Sequence, residues 1–234
     1  MTTHISRKDL KQDIVAQTVG HQIDWFAHHK QTVIRSAAAV VVLIVVVVGV
    51  VSYRASQVSA RQKALGEALT VQLAPVGATP PNGGLSFPTE EARTAAAEKA
   101  FAKVFAQFNG DDEAYLAEYY LGGMAADAGK LDDALKKYQD VAAHASAGYA
   151  SVAKLAIAQL HFAQGKVNEA RAVLKDLAEH PTSLVSKEQA DVTLARGIMD
   201  TQPEEARKLL TPLASKAGSE VAQVATAALS EMQK

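Results

Sequence analysis

Apolar residues divide the chain into one long uninterrupted run and a series of amphipathic segments. Between Arg35 and Arg54 lie eighteen residues without a charged side chain, and eleven of the twelve from Val40 to Val51 are Val, Leu or Ile. As a helix, eighteen residues span roughly 27 Å, which is close to the hydrocarbon thickness of a bilayer. The run therefore predicts a transmembrane helix over residues 36–53.

Two other interpretations of this run are less favoured. A core strand of this length with both faces apolar would be unusual. A cleaved signal peptide has a short basic stretch before its apolar segment, whereas thirty-five residues come first here. We therefore expect a retained membrane anchor.

The segment before the anchor, residues 1–35, has apolar residues at roughly helical spacing, such as Leu10, Ile14 and Phe26, and predicts an amphipathic tail. Lys and Arg flank the anchor on both sides, so the nearest charges leave its direction open. Translocation of the tail would carry five cations across the membrane. This favours a cytoplasmic N-terminus and an exported C-terminal part.

Beyond the anchor, the apolar spacing predicts a helical rod over residues 54–74. Residues 75–89 contain four prolines and three glycines, which cannot continue a helix and predict an exposed loop. Thr89 followed by Glu90 and Glu91 has the composition of a helix N-terminus. A helical array is expected from there, over residues 90–234.

A thirteen-residue phrase recurs in this array. GKLDDALKKYQDV begins at Gly129, GKVNEARAVLKDL begins at Gly165, and PEEARKLLTPL keeps the apolar part of the pattern 36 residues later without the glycine. Another apolar-periodic helix precedes each copy, so each unit predicts two helices joined by a tight turn. The glycines suit a left-handed helix end, and small and large apolar residues follow where helices approach and pack. The positions assigned to repeat packing are Gly129, Ala134, Tyr138, Gly165, Ala170, Leu174, Ala206 and Leu210.

These residues resemble a tetratricopeptide repeat array, whose unit of about thirty-four residues is a pair of antiparallel helices. Leu121, Gly122 and Gly129 stand in the family's spacing, whereas Glu118 stands where the family usually has Trp. The order of tail, anchor, rod and repeats is similar to the ancillary Sec-translocon subunit and cell-division coordinator family of bacterial envelopes. That resemblance implies an inner-membrane protein with a periplasmic all-α solenoid.

Tetratricopeptide arrays usually bind partners in a groove lined by the first helix of each unit. The repeat alignment assigns to this groove Tyr119, Gly123, Asp127, Leu155, Gln159 and Phe162. Family members that clamp a peptide carboxylate need Lys and Asn at such positions. Here Tyr119 and Leu155 replace the lysines, and Gly123 and Gln159 replace the asparagines, so no carboxylate clamp is expected. Tyr119 and Phe162 could equally pack against neighbouring helices.

The remaining composition argues against several kinds of chemistry. The chain has no cysteine and a formal charge of −1, and it contains no P-loop, HExxH or nucleophile-elbow motif. His144, His161 and His180 lie on different elements without ligand spacing. We therefore expect no metal, no cofactor, no nucleic-acid partner and no enzymatic activity.

Two hypotheses about function follow. In the first, the protein is a non-catalytic adaptor that holds partner proteins on the exported side of the inner membrane, near the Sec translocon or periplasmic chaperones. In the second, the array associates with copies of itself as a structural or assembly factor of an envelope or cell-division complex. The charged, Ala-rich rod could then mediate the pairing. The identity of the partner would distinguish the two.

Overall fold

The computed structural model describes residues 30–77, 83–216 and 219–232. Within these ranges the regular structure is helical, apart from an isolated bridge between Val76 and Phe87. The predicted all-α class is confirmed. The helices are α1 Lys30–Gln72, α2 Glu90–Gln107, α3 Asp112–Asp127, α4 Leu131–His144, α5 Ala147–Ala163, α6 Val167–Glu179, α7 Lys187–Ile198, α8 Pro203–Ala214 and α9 Glu220–Glu231.

The chain divides into two compact units, residues 1–58 and 59–234, and each is described by itself. In the first unit, the structure describes α1 from Lys30 onward. The amphipathic tail is predicted for residues 1–35, and residues 1–29 of this segment lie outside the described part of the chain. The large apolar side chains from Val40 to Val51 are between 48% and 65% exposed. Among the described residues, α1 is the one helix long and apolar enough to cross a membrane.

The second unit is a row of helical hairpins. Leu65 and Ala68, near the end of α1, pack with Phe101 of α2 in one apolar cluster. Then follow the hairpins α3–α4, α5–α6 and α7–α8, and finally α9. Each helix from α2 onward packs against the next, and further contacts join α3 to α5, α5 to α7 and α7 to α9. The first helices of successive hairpins therefore form a continuous row.

The second helices of the hairpins keep a strict register. They begin at residues 131, 167 and 203, that is, every 36 residues. Ala134, Ala170 and Ala206 are each 0% exposed, because at these points two helix backbones come close enough to leave room for a methyl group only. The larger side chains on the same face, namely Tyr138, Leu174 and Leu210, are also buried.

Two glycines end the first helices of their hairpins. Gly129 has φ +75° and Gly165 has φ +72°, the left-handed region that a residue with a Cβ adopts only at a cost. At Gly129 the backbone N–H donates to the carbonyl of Ala126, and the N–H of Lys130 donates to the carbonyl of Ala125, both at 2.9 Å. This pair of bonds satisfies carbonyls that the helix end leaves free.

Gly129→Ala should lower the unfolding free energy of the array by about 1 kcal/mol, because alanine is strained in the left-handed conformation. Gly66→Ala is the matched control. Gly66 lies inside α1, and a Cβ there would meet no atom within 4 Å, so the exchange should stabilise by up to about 1 kcal/mol. Thermal unfolding of the full chain in detergent, followed by circular dichroism, measures both. Equal effects of the two exchanges would contradict the prediction.

The connection between α6 and α7 is longer than the turns within the hairpins, and it contributes to the core. Val185 in this connection is 1% exposed and packs in the apolar cluster of α5 and α6. Thr182 Oγ1 accepts hydrogen bonds from the N–H groups of Leu184 and Val185, at 3.3 and 3.1 Å. The same hydroxyl lies 2.7 Å from Ser151 Oγ of α5. The connection is thus an ordered segment that packs against the core of α5 and α6.

The N-termini of α2 and α3 differ in how their polar residues are used. Thr89 caps α2 as predicted, since its Oγ1 accepts a hydrogen bond from the N–H of Ala92 at 3.2 Å. Asp111 stands at the N-cap of α3 but makes no side-chain capping bond. Instead, Asp111 and Glu113 form ion pairs with Arg61 of α1. Asp112 and Glu113 lie in the first turn of α3, where the helix dipole favours carboxylates, and the Arg61 guanidinium adds ion pairs in place of a capping bond.

Candidate functional site

A groove lies where the first helices α5, α7 and α9 meet. Its cavity has a volume of about 570 Å³, enough for several side chains of a bound segment. It is lined by Gln159, Phe162, Gln189, Val192, Thr193, Arg196, Gly197, Met199, Glu220, Val221 and Val224. We call this surface the α5–α7–α9 groove.

The floor of the groove depends on one close approach between α5 and α7. The ring of Phe162 lies directly over the backbone of Gly197; a Cβ built on this glycine would be 2.3 Å from the ring atoms Cε2 and Cζ. Phe162 also joins two apolar clusters, one with Ile198 and Leu210 and one with Leu174. Because glycine has no side chain, the Phe162 ring can pack against the backbone at position 197 and form the floor of the groove.

The rim of the groove is polar. Gln159, Gln189 and Arg196 are exposed, and their side chains form no hydrogen bond or ion pair with the described residues. Thr193 Oγ1 donates to the carbonyl of Gln189 at 2.8 Å. Glu220 lies in the first turn of α9, where the helix dipole favours a carboxylate. Unpaired amide and guanidinium donors thus surround an apolar floor.

Such an arrangement suits a polypeptide better than a small polar metabolite. Side-chain amides can pair with the carbonyl and N–H groups of an extended or helical segment, while the floor accepts an apolar side chain. Within the described part of the chain, no group of three or more His, Asp or Glu side chains could hold a metal ion. The groove offers recognition groups rather than a set of reacting groups.

The groove brings together two of the six residues that the repeat alignment assigned to it, Gln159 and Phe162. Leu155 is 9% exposed and packs in the core of α5 and α6. Asp127 lines a separate cavity beside Gln72 and Arg93.

The remaining two residues, Tyr119 and Gly123, lie beside a group of aromatic rings. The ring of Tyr119 packs edge-on against Tyr120, at 6.0 Å between centroids, and lies 5.2 Å from the ring of Tyr138. A Cβ on Gly123 would be 3.5 Å from the hydroxyl oxygen of Tyr138, an ordinary contact. Burial raises the pKa of Tyr138 to about 12, and Tyr119 and Asp127 add to the shift. These rings fill the space beside α3.

Sequence reasoning missed the contribution of α7 and α9 to the groove, including Gln189, Arg196 and Val224. The groove residues predicted from the repeat lie on α3 and α5 only, and the third unit has lost the turn glycine that marks the end of a first helix. The register of the first helices also changes there, since α5 begins at residue 147 and α7 at residue 187. The helical pattern of EVAQVATAAL after Ser219 could have indicated a further first helix.

Comparison with known proteins gives one result that bears on the fold. The family described as a tetratricopeptide repeat-like domain matches residues 24–208. The match includes both the apolar run and the three hairpins up to the first half of α8. No curated protein and no solved structure matches the chain. With its hairpin row and this match over most of its length, the chain belongs to the tetratricopeptide repeat-like domain family.

Proposed function

We propose that the protein is a membrane-anchored adaptor that binds a segment of a partner protein in the α5–α7–α9 groove. The observation that carries this proposal is the groove itself, in which unpaired donors surround an apolar floor. Tetratricopeptide-like domains generally mediate contacts between proteins, and a row of first helices is the surface they use. The proposal includes no catalytic step.

The anchor is part of the proposal. Eleven large apolar side chains from Val40 to Val51 are exposed on α1, which a helix in water would not tolerate. A bilayer removes this cost, because each central aliphatic residue favours insertion by roughly 0.3 to 0.6 kcal/mol. We place the N-terminal tail in the cytoplasm and the hairpins on the exported side of a bacterial inner membrane. Resistance to alkaline extraction and protease access from the periplasmic side would test this.

Within this role, the resemblance to the ancillary Sec-translocon family supports a place beside the protein-export machinery. The bound segments would then belong to translocon subunits, to periplasmic chaperones or to their clients. Only identification of the bound protein decides among these.

The test uses site-specific photo-crosslinking in the native membrane. A photo-reactive residue at position 189, in the groove, should give cross-links to a discrete partner. The same residue at position 207, on the exposed face of α8, is the matched control and should not. Arg196→Glu should reduce the groove cross-links roughly tenfold, as for a loss of about 1.4 kcal/mol, because it replaces an unpaired cation by an anion. Arg207→Glu should leave them unchanged.

Three results would contradict the proposal. Equal cross-linking from positions 189 and 207 would mean that the groove is not a binding surface. Insensitivity to Arg196→Glu would mean that the rim does not recognise the segment. Cross-links solely to a second copy of this chain would replace the adaptor by the self-associating structural role.

A further inference from the structure

A buried carboxyl group lies in the core between α3 and α4. Glu118 is 6% exposed, and its Oε2 is buried without a hydrogen-bond partner. It stands where the family usually has Trp, so an ionisable group replaces an apolar one. The Asp140 carboxyl of α4 lies within hydrogen-bonding reach. The Asp140 side chain is 41% exposed and lies beside His144, whereas a carboxylate as deeply buried as that of Glu118 needs either a proton or a nearby cation.

The next hairpin shows what the site lacks. Thirty-six residues after Glu118 stands Lys154, and thirty-six residues after Asp140 stands Asp176. In that hairpin Lys154 Nζ lies 2.7 Å from Asp176 Oδ2, as a direct ion pair between the first and second helix. The equivalent position in α3 therefore has an acid in place of the cation.

The histidines confirm that the two sites correspond. His144 Nδ1 lies 3.1 Å from Asp140 Oδ1, and His180 Nδ1 lies 3.1 Å from Asp176 Oδ1. The aspartate and the histidine thus have the same geometry in both hairpins. The difference is confined to the first-helix partner, Glu118 or Lys154.

Glu118 also lines a cavity of about 540 Å³ between α2, α3 and α4. This cavity shares no lining residue with the α5–α7–α9 groove. Its wall includes Leu121, Met124 and Ala125, so it has room and apolar surface for the carbon chain of a long side chain.

We propose that this cavity receives a cationic side chain, lysine or arginine, of a bound protein segment, with its charged end placed at the Glu118 carboxyl group that lines it. We call this bound side chain the guest. It supplies the cation that Lys154 supplies in the next hairpin. The inference rests on the proposed function in one respect, namely that a partner protein carries the cation.

The other charged groups around the cavity do not already fill this role. Glu98 faces it from α2, and Asp133 from α4. Lys130 and Lys136 are exposed, so water solvates their ammonium groups. Lys137 is half-buried and lowers the pKa of Glu118 through its charge, but it forms no ion pair with Glu118 or Asp140.

Protons must compete with the cationic guest. Burial, followed by the nearby Asp140 carboxyl, raises the pKa of Glu118 to about 7. Below this value the Glu118 carboxyl group is protonated and neutral, and above it Glu118 carries a buried negative charge. The guest should therefore bind more tightly as the pH rises through about 7.

The test uses full-length protein in detergent and two capped tripeptides, one with a central arginine and one with citrulline, its uncharged isostere. Binding is followed by NMR through the side-chain carboxyl carbon of Glu118. We expect saturable binding of the arginine peptide, roughly tenfold or more tighter near pH 8 than near pH 5.5, because only the ionised Glu118 carboxylate binds the cation. The citrulline peptide should not bind.

Two variants complete the test, with binding followed through backbone amides around the cavity. Glu118→Gln keeps the shape and removes the charge, so it should abolish binding without unfolding the protein. Glu118→Lys recreates the ion pair of the next hairpin and should abolish binding while raising the melting temperature. Equal binding of both peptides, equal affinity at the two pH values, or binding retained in Glu118→Gln would overturn the proposal. Because Glu118→Gln leaves the α5–α7–α9 groove intact, photo-crosslinks from position 189 report separately on the proposed function.

Discussion

Gly197→Ala is expected to lower the unfolding free energy of the hairpin array by about 2 to 3 kcal/mol. In most helix interiors the same exchange stabilises, because alanine has the higher helix propensity. Here the new methyl group would lie 2.3 Å from the ring of Phe162, well inside van der Waals contact. The ring cannot move away cheaply, since it is packed in two apolar clusters. Denaturant unfolding of the full chain in detergent, monitored by circular dichroism, measures the loss.

A double-mutant cycle separates this clash from other effects of the exchange. Phe162→Leu shortens the side chain over Gly197 and should cost about 1 kcal/mol by itself. In the double variant, Gly197→Ala should cost at least about 1 kcal/mol less than it does in the parent, because the leucine leaves room for the methyl group. Strictly additive effects would show that the ring over Gly197 does not limit the site.

The unfolding free energy should fall by up to about 3 kcal/mol as the pH rises from about 4.5 to about 7, owing to Glu118 alone. Its pKa is raised from 4.5 to about 7 in the folded protein, first by burial and then by Asp140. The folded state therefore binds more protons than the unfolded state across this interval, and the sign of the slope is negative. Chemical denaturation at a series of pH values measures it.

Other carboxyl groups act in the opposite direction at lower pH. Hydrogen bonds from Lys154, Arg171 and Lys216 lower the pKa values of Asp176, Glu205 and Glu188, respectively. The stability that these pairs contribute is lost as the pH falls through the lowered values. Maximum stability is therefore expected between the two regimes, in mildly acidic solution.

Glu118→Gln is the control for the pH prediction. Glutamine cannot ionise, and its amide can donate a hydrogen bond to Asp140. The variant should lose the downward slope between about pH 4.5 and 7 and should be more stable than the parent near pH 8. The same slope in the variant and the parent would assign the titration to another group.

The helical hairpins and their register follow from local patterns in the sequence. A helix end that must turn left-handed requires glycine, and the spacing of Gly129 and Gly165 therefore marks two turns. The burial of Ala134 and of its counterparts 36 residues apart follows in the same way, because one hairpin cannot bury its own apolar face. The apolar run before Arg54 is equally local, as composition and length suffice to recognise it.

The candidate sites depend on contacts between residues distant in sequence. The repeat pattern assigned Gln159 and Phe162 to the groove, and both line it. It also assigned Leu155 to the groove, but this residue is buried in the core. The folded connection with Val185 lengthens the spacing between the first helices α5 and α7 to 40 residues, from residue 147 to residue 187, so the 36-residue repeat does not predict the position of α7, although it does predict that of α8.

By itself, the sequence determined the fold class, the repeat and the position of the apolar helix, since each depends on neighbours within one or two helical turns. The tertiary structure alone decided that Arg196 and Gln189 of α7 share a groove with α9, and that Phe162 covers Gly197. It also decided that Glu118 is buried opposite Asp140. The physical reason is that burial and pairing depend on which helices pack together, and packing is a property of the whole row of hairpins rather than of any one segment.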